Sequence, residues 1–210
     1  MVLKFLRSLV SKDQLPSSTT PRKAPDVIEV AGAQLVLHPY LKTDEGGFPR
    51  LDWEAIGKWV ESVDPRLRAE AWGQAEIAWL LHVRDSLNGD YRLDIQDCAL
   101  LLSSLEANVA RSALDFMTRS LKRISAVLDG VACAPEWGHD ILIVFDNDET
   151  YYGYVSHFYA DDGEFAGSGG MFVNDGCSHF VTMKSDLRVV EPTIVHEMTH
   201  SCLSHLPIPA

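Results

Sequence analysis

The order of apolar and polar positions divides the chain into short strands, long amphipathic helices and punctuated loops. Val27-Ile28-Glu29-Val30 and Gln34-Leu35-Val36-Leu37-His38 flank Gly32 and predict two short strands around a turn. Apolar residues recur at helical spacing over residues 53–63 and 66–87, and Asn88-Gly89 stops the second of these helices. Tyr91-Arg92-Leu93-Asp94-Ile95 alternates as a half-buried strand does, and Ala99-Leu100-Leu101-Leu102 follows closely enough to predict a hairpin. Val109, Ala113, Phe116, Leu121, Ile124 and Leu128 then mark one long amphipathic helix over residues 105–128, closed by Gly130.

Beyond residue 130 the pattern turns to sheet. Ile141-Leu142-Ile143-Val144-Phe145 is a β-branched, apolar run of the kind found in a buried strand. Gly167-Ser168-Gly169-Gly170 leads into Met171-Phe172-Val173, and Asp175-Gly176 makes a turn before a second strand, His179-Phe180-Val181-Thr182-Met183. The last element reads as a helix from Pro192, at a first-turn position, to about His205, with Pro207 and Pro209 stopping it. Together these elements predict an α+β fold: helices and a β-hairpin, then a small, mostly antiparallel sheet packed on the last helix. Residues 1–25 predict a flexible arm, because Pro16-Ser17-Ser18-Thr19-Thr20-Pro21 carries too little apolar surface to order itself. Residues 26–130 and 131–210 are expected to form one compact unit.

Composition narrows the classes of partner. The chain has 210 residues, 46% of them hydrophobic and 23% charged, which is ordinary for a globular protein. A net charge of −12 without a dense Lys/Arg cluster argues against nucleic acid. No run approaches the ~18 apolar residues of a membrane span, and Lys4 and Arg7 interrupt the apolar start, so it does not read as a signal peptide. Cys98, Cys133, Cys177 and Cys202 form no C-x-x-C pair, which predicts reduced, buried thiols in a cytoplasmic protein. His82 falls on an apolar helical stretch and is expected to be structural.

The chemistry concentrates in His196-Glu197-Met198-Thr199-His200. Histidines four residues apart on a helix lie about 40° apart around its axis, so His196 and His200 can share one metal. Glu197 follows the first histidine, where its carboxylate can take a proton from a metal-held water and later pass it to a leaving amine. Zinc is the expected ion, since imidazole suits it and an open coordination position acidifies water. This chain's own residue frequencies give roughly a two per cent chance of an accidental match. Ile194, Val195, Met198 and Leu203 supply the apolar face that a helix here needs. Hydrolysis is the reaction class that follows.

With that motif, residues 141–210 resemble the glutamate-zincins, the thermolysin-like, peptidase MA-like metallopeptidases. The resemblance implies a zinc-dependent peptidase acting on a peptide or protein, with His196 and His200 as metal ligands and Glu197 as catalytic base. It also implies an antiparallel edge strand above the metal helix that pairs with extended substrate; Gly170, Met171, Phe172, Val173 and Asn174 match that strand. The family's third ligand is a glutamate on a following helix. None of the ten residues after His200 is Asp or Glu, so that ligand has no counterpart here. His205 lacks the metzincin spacing and glycine and would face about 180° from His196 on a continued helix, and Cys202 points off the metal face. Tyr151, Tyr152, Tyr154, His157, Tyr159 and His179 are candidate oxyanion stabilisers on the sheet side of the cleft. Asp146, Asp148, Glu149, Asp161, Asp162 and Glu164 lack the spacing of a calcium loop and read as a solvated face. Two other expectations remain: a non-catalytic relative that binds a peptide or partner, and an inactive N-terminal fragment of a longer metallopeptidase.

Overall fold

Ile141, Leu142, Ile143, Val144 and Phe145 are all buried, which places their strand in the middle of the molecule with apolar material on both faces. A computed structural model describes residues 23–129, 131, 137–158, 169–185 and 187–203. The first half contains the hairpin β1 (Val27–Val30) and β2 (Ala33–Val36), the pair β3 (Leu41–Thr43) and β4 (Pro49–Leu51), and the helices α1 (Trp53–Ser62) and α2 (Arg68–Ser86). There follow β5 (Arg92–Gln96), β6 (Ala99–Ser103), α3 (Ala107–Val127), β7 (Asp140–Phe145) and α4 (Asp148–Val155). The order ends with β8 (Gly170–Asp175), β9 (Cys177–Met183) and α5 (Leu187–Leu203).

The fold is α+β, built on one five-stranded sheet in the order β5-β6-β7-β9-β8. It is not mostly antiparallel, as the sequence leads one to expect: β6 pairs with β7 in parallel, and so does β7 with β9. Between β6 and β7 the cause is the connection through α3, which returns the chain in the starting direction; between β7 and β9 the chain passes through α4 and β8, and β9 turns back antiparallel to β8. The outer pairs, β5 with β6 and β8 with β9, are antiparallel hairpins. The predicted hairpin of residues 91–102 therefore lies in the same sheet as the strands of the second half. Gly176 closes the other hairpin at φ +78°, and a Cβ there would lie 2.5 Å from Cβ of Trp53, so the turn needs glycine twice over.

Alternate residues of the central strands face two separate apolar layers. Leu100, Leu102, Ile141, Ile143, Phe145 and Val181 point toward α1, α2 and α4, whereas Leu101, Leu142, Val144 and Phe180 point toward α3 and α5. Within the first layer the acidic side chain of Glu76 is buried, and its carboxyl oxygens accept from Trp72 Nε1 at 2.9 Å and from His139 Nδ1 at 2.6 Å. That contact ties α2 to the start of β7. None of the described helices is long and apolar enough to cross a membrane.

Candidate functional site

Helix α5 begins at Leu187, five residues before the expected start, so Pro192 lies inside it rather than at its first turn. Proline has no N–H to return to the carbonyl of residue 188, a loss confined to the early part of the helix. The stretch that matters follows: Ile194, Met198 and Cys202, at steps of four, are buried against α3 and the sheet. Burying that stripe turns the other side outward, and His196 and His200 are exposed there with Glu197 partly exposed between them.

The two imidazoles converge. His196 Nε2 and His200 Nε2 are 3.0 Å apart, with ring centroids at 4.6 Å. Two nitrogens bound to one tetrahedral zinc stand about 3.3 Å apart, given Zn–N bonds of about 2.0–2.1 Å, so the pair is within a few tenths of an ångström of a chelating geometry. Without an ion the same contact is served by one ring donating its N–H to the other's lone pair. Among the described residues no third His, Cys, Asp or Glu completes a metal-binding group. His205 lies outside the described residues.

Among the described residues, strand β8 is the antiparallel edge of the sheet, and it packs beside α5. The approach is close because residue 170 is glycine: a Cβ there would lie 3.0 Å from Cγ2 of Thr193, one turn before His196. Phe172 turns to the α5 side and meets Phe180 with ring centroids 5.3 Å apart, while Met171 and Val173 are buried on the opposite side. Asn174 is exposed at the far end, its Oδ1 accepting from Ser178 Oγ at 3.1 Å.

The aromatic and histidine candidates for an oxyanion role behave differently from expectation. Tyr151, Tyr154 and His179 are fully or almost fully buried in the layer on the face away from α5, and Tyr152 packs against that layer. Their segment is α4, a helix that the sequence reading did not assign, and its Tyr151 and Tyr154 fill a core. His179 Nδ1 donates to the carbonyl of Cys177 at 2.9 Å, so its Nε2 is left to accept from Tyr154 Oη at 2.7 Å. Burial holds this imidazole down at about 4 and raises the Tyr154 hydroxyl well above its ordinary value, so neither group is set up to titrate in a reaction near neutral pH. His157 alone of the described candidates is exposed. Tyr159, Asp161, Asp162 and Glu164 lie outside the described residues.

The remaining polar candidates are structural. Asp146 is engaged by Ser104 Oγ and by Lys184 Nζ, the latter at 3.2 Å, across the carboxyl ends of β6, β7 and β9. His82 Nε2 donates to the carbonyl of Pro25 at 2.9 Å. Cys177 and Cys202 are buried as expected, but Cys98 is exposed because it sits at the tip of the β5–β6 hairpin; Cys133 lies outside the described residues. One feature had no signal in the sequence: a cavity against β8 lined by residues from the end of α4 and the end of the strand. No protein-family model matches the chain, and neither a curated protein nor a solved structure matches it.

Proposed function

We propose that the chain is a zinc-dependent metallopeptidase-like protein of the glutamate-zincin type, acting on extended peptide. The observation that carries this reading is the convergence of His196 and His200 Nε2 at 3.0 Å on the exposed side of α5. The edge strand β8, antiparallel and adjacent to that helix, supports it as the element that an extended peptide could join by backbone pairing.

Two imidazoles suit zinc in ligand type and separation, and a catalytic zinc normally takes three protein ligands. When bound, the ion supplies Lewis acidity at the scissile carbonyl and lowers the pKa of water. The chain's own contribution is then positional and basic. Met198 and Ile194, buried at 0% and 3%, fix the rotation of α5 so that both histidines face outward. Glu197 accepts the proton of the attacking water and delivers it to the departing amine, a role worth typically about 10²–10⁴ in rate. A second reading, a non-catalytic peptide-binding relative, is favoured by the absence of a third donor among the described residues.

Zinc stoichiometry by metal analysis with competitive chelation separates the two. The peptidase reading expects one tightly held zinc per chain, lost in His196→Ala and kept in Glu197→Gln, with hydrolysis of an unfolded protein substrate falling at least about 100-fold in Glu197→Gln. A chain that holds no zinc, or whose hydrolysis is indifferent to Glu197→Gln, would sink it.

A further inference from the structure

Strand β8 has two faces, and only the one toward α5 belongs to the proposed metal site. On the other face, among the described residues, His157, Phe158, Val173, Asn174 and Asp175 line a cavity of 360 Å³. That volume is at the lower end of the ~300–1,000 Å³ typical of ligand sites. Val173 and Asp175 share this face by the alternation of the strand, and the loop after α4 brings His157 and Phe158 to it.

The charges around the cavity do not cancel. Arg50, the nearby cation, is already held: its Nε lies 2.7 Å from Asp44 Oδ2, and its guanidinium sits 4.3 Å from the Tyr154 ring centre and 4.1 Å from that of Phe158. His157 Nδ1 lies 3.9 Å from the same Asp44 carboxylate. Asp175 is exposed, and no described cation pairs with it. The cavity therefore presents one uncompensated carboxylate beside an aromatic ring, on a chain whose net charge of −12 already draws cations.

We propose that this cavity is a specificity subsite for the cationic side chain, Lys or Arg, of a peptide lying along β8. The proposal rests on the reading of β8 as a peptide-pairing edge. Successive side chains of an extended peptide point to opposite faces, so a residue whose neighbour faces α5 turns its own side chain into the cavity. There Asp175 accepts a charge-assisted hydrogen bond that a neutral side chain cannot donate. Position along β8 then selects which peptide residue comes to lie beside Glu197.

The test is a titration of the full chain, kept metal-free with a chelator, against fluorescent decapeptides of alternating Thr and Val with blocked termini. A single Lys or norleucine is walked through their central positions, and binding is read by polarisation. At one register Lys binds about tenfold tighter than norleucine, as a charge-assisted bond implies. Asp175→Asn reduces that preference to under about twofold, and Asp90→Asn, an exposed control, leaves it intact. Equal binding of the two peptides, a preference that survives Asp175→Asn, or no binding at all overturns the subsite. Since no metal is present, a chain that prefers Lys but takes up no zinc keeps the subsite and loses the hydrolase reading. A chain that binds zinc and cleaves peptides without the preference does the reverse.

Discussion

A half-buried carboxyl and a fully buried imidazole pull the pH dependence of stability in opposite directions. Burial raises the Asp140 carboxyl from 3.8 to about 6, with Glu76 adding to the rise, and burial lowers the His179 imidazole from 6.5 to about 4. A carboxyl raised in the folded state favours folding below pH 4, and that contribution is lost as pH climbs through 6. A depressed imidazole favours folding above pH 6.5, and that contribution is lost as pH falls through 4. Each shift of about two units corresponds to about 3 kcal/mol, so over this window the two largely offset. Asp140→Asn removes one arm, and unfolding free energies from urea titrations at pH 4.5 and 6.5 should then show the variant gaining about 2 kcal/mol more than the parent on raising the pH. Parallel behaviour of the two proteins would mean that Asp140 is not held protonated by its surroundings. None of this is legible in the sequence: an Asp at the head of an apolar run and a His within one look alike whether they reach solvent or not. His196 and His200 were legible because their spacing alone places them on one side of a helix.

At the scale of elements, periodicity located β1, β2, α1, α2, β5, β6, α3, β7, β8 and β9 to within a few residues, because most of them bury one apolar stripe or run, and β5 and β2 sit in hairpins marked by their turns. It missed α4, whose Tyr151 and Tyr154 look like strand aromatics until Asn147 is seen capping the helix through Thr150 N at 2.9 Å. It also placed the start of α5 too late, since Pro192 invites a first-turn assignment that Val189 and Val190, both poor helix formers, do nothing to dispel. Resemblance placed an edge strand beside α5, but not how tightly the two approach each other at Gly170. A methyl group at that position meets Cγ2 of Thr193 at 3.0 Å and the carbonyl oxygen of Val181 at 3.2 Å. Gly170→Ala should therefore cost about 1–3 kcal/mol by overpacking. Thr193→Ser, which removes the obstructing methyl, should recover part of that loss, and a double-mutant cycle in urea would show a coupling of about 0.5 kcal/mol or more. Strict additivity would mean that strand and helix do not press on each other there.

Among the described residues the five-stranded sheet is shared by two cores, and it draws strands from both residues 26–130 and 131–210. β6, from the first stretch, pairs along its length with β7 from the second, so neither layer can lose its half of the sheet alone. The two layers differ in composition in a way that permits a direct test. All five tryptophans, Trp53, Trp59, Trp72, Trp79 and Trp137, lie in or against the layer of α1, α2 and α4. Met198, fully buried at 0%, lies in the other layer, between α5 and the sheet. Met198→Ala removes core volume that no tryptophan touches and should cost about 2–5 kcal/mol. If the shared sheet couples the layers, tryptophan fluorescence and far-UV circular dichroism will report the same lowered urea midpoint, because the strands behind the tryptophans cannot persist once α5 and α3 separate. If the fluorescence transition stays at its parental midpoint while the dichroism shifts, the layers unfold independently and β6–β7 pairing does not carry the load between them. The coupled outcome also bears on the proposed metal site, since the rotation of α5 that turns His196 and His200 outward would then draw on the stability of both layers.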